Sequence, residues 1–463
     1  MKKILYTAPV CMMFLLVFFV SCTQAPVQEK NNELDMGGKE YYFIGSFFPE
    51  AARNNNNAFL QEDPDAYETT LEEDAMSDKC LKTQEKLNCV IVHEEGFPGT
   101  KAEFAAGLSS GTVKADIICD TFASLLDYYK SGMLCDLYEI STLDATDEEK
   151  WGTEQRKEAT TYRGALYAFP CQGSMYYPFT DKYNGAFVYN RDLYDSYGTG
   201  ITPEELIEEG KWTFSGFLDI IPGVIAPEDE NEKYGISLIN SLPTISVYAN
   251  GGDIIIKNDK GQYVFGYSRD NAVRALEWAR DLSMIPGAIA PNDYYSDFEA
   301  GNATFALIPA ERAIYSSVPN IGWIPFPYGP DVEYGQSYSG YFGYYEKGTA
   351  IVSNPGDKGR ELEVGTIVNE LFEPTDKFGK TGYDQYISRN FFNTPEDYEV
   401  FKSHGLNMHY DWSKEILQDK TVQEMLLKIN DIIANPAAPV KAEMQAMRDV
   451  VNERICDDLN GKE

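Results

Sequence analysis

The chain has 463 residues, 43% hydrophobic and 24% charged, the balance of a globular protein with room for two or three domains. Its net charge of −34 argues against nucleic-acid binding and against attraction to anionic lipid, and its plainest consequence is solubility. A chain this long buries its cores without disulfides or metals.

Eight cysteines stand at positions 11, 22, 80, 89, 119, 135, 171 and 456, with no CxxC pair and no Cys/His zinc spacing, so neither a metal nor another cofactor is expected. Cys80 and Cys89 are a conceivable pair, whereas Cys119 and Cys135 read as small core residues. Six cysteines beyond Cys22 in an exported chain hint at a reducing or anoxic habitat. Only His93, His404 and His409 are available for imidazole chemistry.

Met1-Lys2-Lys3 precedes an apolar stretch over 8–20, the order of a secretory signal (1–21). The stretch falls short of the ~20 residues that a membrane-spanning helix needs. Phe19-Val20-Ser21-Cys22 resembles a bacterial lipobox with Phe19 at the usual leucine, which implies lipidation of Cys22. Two acyl chains on one cysteine anchor stably where a single chain is marginal. Residues 22–39 are polar, with Gln, Asn, Pro and Gly, and read as a flexible tether.

From residue 40, strand and helix signals alternate. Tyr41-Tyr42-Phe43-Ile44 is a strand, 65–86 a helix, 88–92 a strand, 101–108 a helix and 115–119 a strand, an order that predicts a mostly parallel sheet with helices on its faces. Phe122, Leu125, Leu126 and Tyr129 fall at helical spacing, and Gly132 is placed for a left-handed cap. The acidic stretches 144–150 and 227–233 lack the order of a calcium loop. Residues 257–261 read as a hairpin turn and 270–284 as an amphipathic helix, on which Trp278 is core or ligand contact. No internal repeat and no membrane span is evident after residue 22.

Seven segments carry a more specific pattern. They are Ala115-Asp116-Ile117-Ile118-Cys119-Asp120 with Lys130-Ser131-Gly132-Met133-Leu134-Cys135-Asp136-Leu137; Tyr162-Arg163-Gly164-Ala165-Leu166-Tyr167-Ala168-Phe169-Pro170; Ala186-Phe187-Val188-Tyr189-Asn190-Arg191-Asp192-Leu193; and Gly210-Lys211-Trp212-Thr213-Phe214 with Phe217. Asn250-Gly251-Gly252-Asp253, Phe298-Glu299-Ala300-Gly301-Asn302-Ala303-Thr304-Phe305 and Ile321-Gly322-Trp323-Ile324-Pro325-Phe326-Pro327 complete the series. In order, over about 40–355, they resemble the family 1 extracellular solute-binding proteins, the maltose-binding-protein-like group of ABC importers. The link over 171–185 is longer than the family's, and 380–463 matches loosely.

The resemblance implies an α/β, two-lobed, periplasmic-binding-protein-like fold (type II), each lobe a mostly parallel sheet flanked by helices, with a hinge. One lobe is expected from 40–170 plus about 346–375, the other from 171–345 plus about 376–463. Crossings are expected near 170–173 and 339–349, where Ser337-Tyr338-Ser339-Gly340-Tyr341-Phe342-Gly343-Tyr344-Tyr345 offers glycines for bending and tyrosines for the cleft. It further implies capture of a sugar for ABC permease subunits by a monomer, on the outer face of a cell membrane, with no covalent chemistry.

A sugar site needs carboxylates and amides for hydroxyls, aromatic rings for C–H faces, and closure to exclude water. On the family pattern the candidates are Asp120 and Thr121 after the third strand, Gln172 and Ser174 at the crossing, Asn240 and Ser241 in the second lobe, Glu311 and Arg312 past Gly301, and Trp212 and Tyr341 as aromatics. Each has a plainer reading: a helix cap for Asp120, a hinge loop for Gln172 and Ser174, core packing for Trp212 and Trp323. Three other functions stay open: a secreted carbohydrate-active enzyme with paired carboxylates, a lipoprotein sensor, and a binder of peptides or polyamines. Neither HExxH nor a phosphate-binding P-loop occurs.

Overall fold

The computed structural model describes residues 35–45, 71–94, 96–97, 99–151, 154–170, 185–226, 233–238, 242–291, 295–314, 316–335, 340–341, 347–373, 388–389, 391–406, 408–409 and 419–461. Cys22 with the signal and most of the tether, Gln172, Ser174, Asn240, Ser241 and most of both crossings lie outside these residues.

The first part of the chain forms β1 (Lys39–Gly45), α1 (Leu71–Leu87), β2 (Cys89–Glu94), α2 (Lys101–Ser110), β3 (Ile117–Thr121) and α3 (Phe122–Lys130), then a hairpin of β4 (Thr161–Tyr162) and β5 (Ala165–Leu166). Next come β6 (Gly185–Asn190), α4 (Arg191–Ser196), α5 (Pro203–Glu208), α6 (Phe214–Ile220), β7 (Tyr234–Leu238), α7 (Leu242–Ala249), the hairpin β8 (Ile255–Lys257) and β9 (Tyr263–Phe265), and α8 (Asp270–Ser283). The chain continues with β10 (Ala303–Pro309), α9 (Ala310–Ile314), β11 (Ile321–Trp323), β12 (Gly340–Tyr341), β13 (Lys347–Ile351) and α10 (Lys358–Leu371). It ends in α11 (Pro395–Leu406), β14 (Met408–His409), α12 (Lys420–Ile433), α13 (Val440–Val451), a π-helical turn (Asn452–Cys456) and the short α14 (Asp457–Leu459).

The first sheet has the order β13-β3-β1-β2, with β1 parallel to β2 and β3, and β13 antiparallel to β3. Its strands are apolar on both faces because helices cover both. Tyr41, Phe43, Ile117 and Cys119 pack with Cys80 of α1 and Val364 and Ile367 of α10. Ile44 and Ile118 face the opposite core, with Phe104 of α2 and Leu125 of α3.

The second sheet has the order β11-β6-β10-β7. By pairing it is mixed: β10 is parallel to β7, while β6 is antiparallel to β10 and β11. Yet three of its four strands run one way, as in the first sheet. The reversed strand in each, β13 and β6, is the one the chain enters from the other sheet. A strand entered there starts at the end facing the other lobe, where the remaining strands finish. In the first sheet that strand is at the edge; in the second it is internal, so two pairings become antiparallel.

Phe169 and Thr349 exchange both backbone hydrogen bonds, at 2.8 and 2.9 Å, so the two crossing segments run side by side where they meet the first sheet. Gly348 fits between them because a Cβ there would meet the Phe169 carbonyl and the Phe122 ring at 2.8 and 2.9 Å.

Cys80, Cys89, Cys119, Cys135 and Cys456 are buried thiols outside any disulfide, so the conceivable Cys80–Cys89 bridge is not formed. Burial pushes the Cys89 thiol up to about 11 and Cys119 and Cys135 to about 12, the behaviour of inert core residues. No helix among the described residues is long and apolar enough to cross a membrane.

Candidate functional site

The carboxyl ends of β1, β2 and β3 and the amino end of β13 lie on one side of the first sheet. The carboxyl ends of β7, β10 and β11 and the amino end of β6 lie together on the second. The crossing segments join these two sets of ends, so the cleft between them is the candidate site. Open sheets bind ligands at such ends.

Asp120 and Thr121 are the last two residues of β3, not part of the loop after it, because Gly348 and Lys347 of β13 pair with them. Thr121 is the N-cap of α3; its hydroxyl accepts from the Ser124 N–H at 3.4 Å and lies 2.8 Å from the Ser124 hydroxyl. The cap reading considered for Asp120 therefore belongs to Thr121. One oxygen of Asp120 accepts the Thr121 N–H at 2.7 Å, which orients the half-buried carboxylate.

Around this pair stand residues that the sequence did not single out for the site. Lys101, at the start of α2, donates to the buried Ser124 hydroxyl. His93 Nε2 lies 2.8 Å from the Gly45 carbonyl, and since a carbonyl only accepts, that nitrogen carries the proton. Gly45 itself must be glycine: its φ is 111°, and a Cβ would sit 2.1 Å from the Cys119 carbonyl oxygen. A Thr-x-x-Ser capping pattern at Thr121 and Ser124 was the one local signal for part of this cluster. The pairing that brings Lys347 opposite Thr121 has no local signal at all.

In the second lobe, Glu311 and Arg312 begin α9, at the carboxyl end of β10. Arg312 is exposed and holds its guanidinium 4.6 Å from the centre of the Tyr295 ring, so it has an aromatic partner beside it. Tyr341 lies in β12, paired with His409 of β14 and packed beside β6.

Trp212 is a core residue rather than a stacking platform. It is 0% exposed, packs against Phe217 and Phe305, and donates its indole N–H to the Pro325 carbonyl at 2.8 Å. Trp323 packs against Phe392 and Phe401, and Trp278 stacks on Phe214 at 4.1 Å while donating to its carbonyl. The apolar positions that carried these tryptophans in the sequence pattern are structural.

Chemically the strand ends carry a half-buried carboxylate at Asp120, the Thr121 hydroxyl, the Lys101 ammonium and the His93 imidazole, with the buried Ser124 hydroxyl holding Thr121 and Lys101 in place. Among the described residues no group of three or more His, Cys, Asp or Glu could hold a metal ion.

No protein-family model matches the chain, and no curated protein sequence does. Solved structures do match it. A cyclic α-maltosyl-1,6-maltose binding protein from Arthrobacter globiformis superimposes with a TM-score of 0.62 at 14% identity, covering 91% of this chain and 100% of that one. The ABC substrate-binding protein Lmo0181 from Listeria monocytogenes, in complex with cycloalternan, gives 0.55 at 13% identity over 92% and 100%. An extracellular solute-binding protein family 1 member from Alicyclobacillus acidocaldarius gives 0.53 at 12% over 89% and 97%. The chain thus has the two-lobed α/β fold of the maltose-binding-protein-like solute-binding proteins.

Proposed function

We propose that this chain captures a carbohydrate, a mono- or oligosaccharide, in the cleft between its lobes and delivers it to an ABC-type importer. The observation that carries this reading is the gathering of Asp120, Thr121 and the Lys101–Ser124 pair at the carboxyl end of β3, with His93 fixed on the Gly45 carbonyl at the neighbouring strand end. Fixed hydrogen-bonding groups at strand ends suit a polyol, and water exclusion on closure strengthens them. Two structures of the same fold are described with cyclic oligosaccharides, which supports this ligand class.

In this reading 40–170 with about 346–375 make one lobe and 171–345 with about 376–463 the other. The crossings near 170–173 and 339–349 act as the hinge. Gln172, Ser174, Asn240, Ser241, Glu311, Arg312 and Tyr341 complete the contacts as the lobes close. A ligand favours closure only by binding the closed form more tightly. The signal over 1–21 and lipidation of Cys22 hold a monomer on the outer face of the membrane, with 22–39 as its tether.

A thermal-shift screen of purified protein against monosaccharides, linear and cyclic α-glucan oligosaccharides, peptides and spermidine tests the ligand class. A ligand that binds only the folded state raises the melting temperature, by the equivalent of ~2.7 kcal/mol at a hundredfold excess over Kd. Shifts confined to sugars support the reading. Shifts confined to peptides or spermidine overturn it, and consumption of a sugar at catalytic turnover would show an enzyme instead.

A further inference from the structure

Lys101 stands where the local electrostatics oppose a cation. It is the first residue of α2, after the Thr100 cap, and its ammonium donates to the hydroxyl of Ser124 in the first turn of α3. Both places are helix amino ends, where the backbone carries partial positive charge and a lysine is unfavourable. α2 offsets this with Glu103, whose carboxylate accepts the Thr100 N–H at 2.7 Å. α3 has no acidic residue in its first turn. Among the described residues no carboxylate forms an ion pair with Lys101. The chain carries 73 acidic residues against 39 basic ones, so the missing partner is not for want of acids.

The hydroxyls beside Lys101 have a fixed order. An ammonium only donates, so Ser124 Oγ accepts from it. Ser124 is 1% exposed, and a hydroxyl proton left unused at such depth is costly. That proton therefore goes to Thr121 Oγ1, 2.8 Å away, which also accepts the Ser124 N–H. With its acceptor sites taken, Thr121 Oγ1 has only its own O–H to offer.

Tyr128, further along α3, adds another donor. It is 4% exposed, and its hydroxyl has no hydrogen-bond partner among the described residues. Its ring meets that of Phe104 edge-on, one turn on from Lys101 in α2, so the phenol lies between the two helices. Burial, and next the charge of Asp120, push its pKa up to about 12. The hydroxyl thus keeps its proton, and it faces the Asp120 end of the helix pair.

The remaining Lys101 N–H groups, the Thr121 O–H and the Tyr128 O–H are donors without acceptors. A neutral sugar hydroxyl suits such a set poorly, because it brings a proton of its own to be placed. A carboxylate only accepts, takes several such bonds, and brings the negative charge that Lys101 and the amino end of α3 lack. Asp120, held by the Thr121 N–H and not by Lys101, is left for the sugar's hydroxyls.

We propose that the sugar this cleft selects is acidic, a hexuronic acid or an oligosaccharide ending in one, with its carboxylate on Lys101 and the amino end of α3. A single negative charge fits, because one ammonium meets it and Asp120 beside Thr121 opposes a doubly charged phosphate. This ligand class rests on the cleft being a sugar site, and the test keeps the two apart.

Glucuronate is paired with glucose, galacturonate with galactose and digalacturonate with α-1,4-galactobiose, each pair differing only in carboxylate against hydroxymethyl; glucose 6-phosphate is added. Calorimetry gives Kd for the wild-type chain, Lys101→Met and Lys101→Arg, each first shown to fold by circular dichroism melting. The wild-type chain is expected to bind a uronate about tenfold or more tighter than its neutral partner. Lys101→Met brings that ratio to about one, and Lys101→Arg, which keeps the charge, restores part of it. A ratio taken on one protein is not imitated by a general loss of binding, and the wild-type ratio decides by itself should a variant fail to fold. A neutral sugar bound as tightly as its uronate overturns the acidic ligand and leaves the sugar-binding function standing, as does a preference that survives in Lys101→Met. Tighter binding of glucose 6-phosphate than of glucuronate overturns the choice of a carboxylate. If the folded wild-type chain binds none of these sugars, the acidic ligand is overturned, and the thermal-shift screen with α-glucans decides the sugar reading separately.

Discussion

At Asp120 the backbone settles what the side chain can do. The adjacent Thr121 N–H takes one carboxylate oxygen and Thr121 takes the capping role, so Asp120 keeps an oriented oxygen at the cleft end of β3. Asp120→Ala removes one charged hydrogen-bond partner, worth ~1.5–3 kcal/mol, which predicts about ten- to hundredfold weaker sugar binding by calorimetry with an unchanged melting temperature. Trp212→Phe predicts the reverse pattern. It orphans the buried Pro325 carbonyl, costs ~1–3 kcal/mol in urea unfolding, and leaves Kd as it was. Asp458 adds a pH signature. Burial opposes its ionisation, but Lys130, Tyr162 and Arg163 outweigh that and hold its carboxyl below the usual range. A carboxylate lowered in the folded state stabilises above its unfolded pKa of ~3.9, and that contribution is lost as pH falls through the folded value. The stability deficit of Asp458→Asn is accordingly present at pH 7 and shrinks below about pH 4, read by urea unfolding across pH.

Among the elements, those set by periodicity were legible. The strand expected over 41–44 is Lys39–Gly45, that over 88–92 is Cys89–Glu94, and the helix expected over 270–284 is Asp270–Ser283. The strand expected over 115–119 begins at Ile117 because Asp116 serves as a brace, accepting the Tyr42 N–H and a bidentate Arg360, and it extends to Thr121 because β13 pairs there. Neither partner is near in sequence, so no local pattern could reveal them. The loosely matching C-terminal region holds the clearest long-range brace of the second lobe. Asp397, buried at the start of α11, accepts from Arg191 at 2.8 and 3.1 Å, from the Trp323 N–H at 2.8 Å and from the Thr394 hydroxyl at 2.8 Å. Asp397→Ala leaves Arg191 half-buried without this carboxylate and predicts a loss of ~3–5 kcal/mol, seen as a lower urea midpoint.

For the molecule as a whole, ordered motifs conveyed the architecture better than the site. Apolar residues that build sheets recur at fixed spacing and leave a readable trace, as in the strand-to-turn runs ending at Pro170 and Asn190. The cleft instead depends on which strand ends a crossing chain brings together. Lys347 stands opposite Thr121 only through sheet order, and Trp212, for which the sequence allows core or contact, is core. The proposed function makes one claim above the others: closure of two lobes over a sugar. Small-angle scattering of the wild-type chain, titrated with the sugar that raises its melting temperature most, tests it directly. A radius of gyration that falls and saturates with the bound fraction is the predicted result. A sugar bound by calorimetry with no change in radius, or no sugar bound by folded protein, would contradict it.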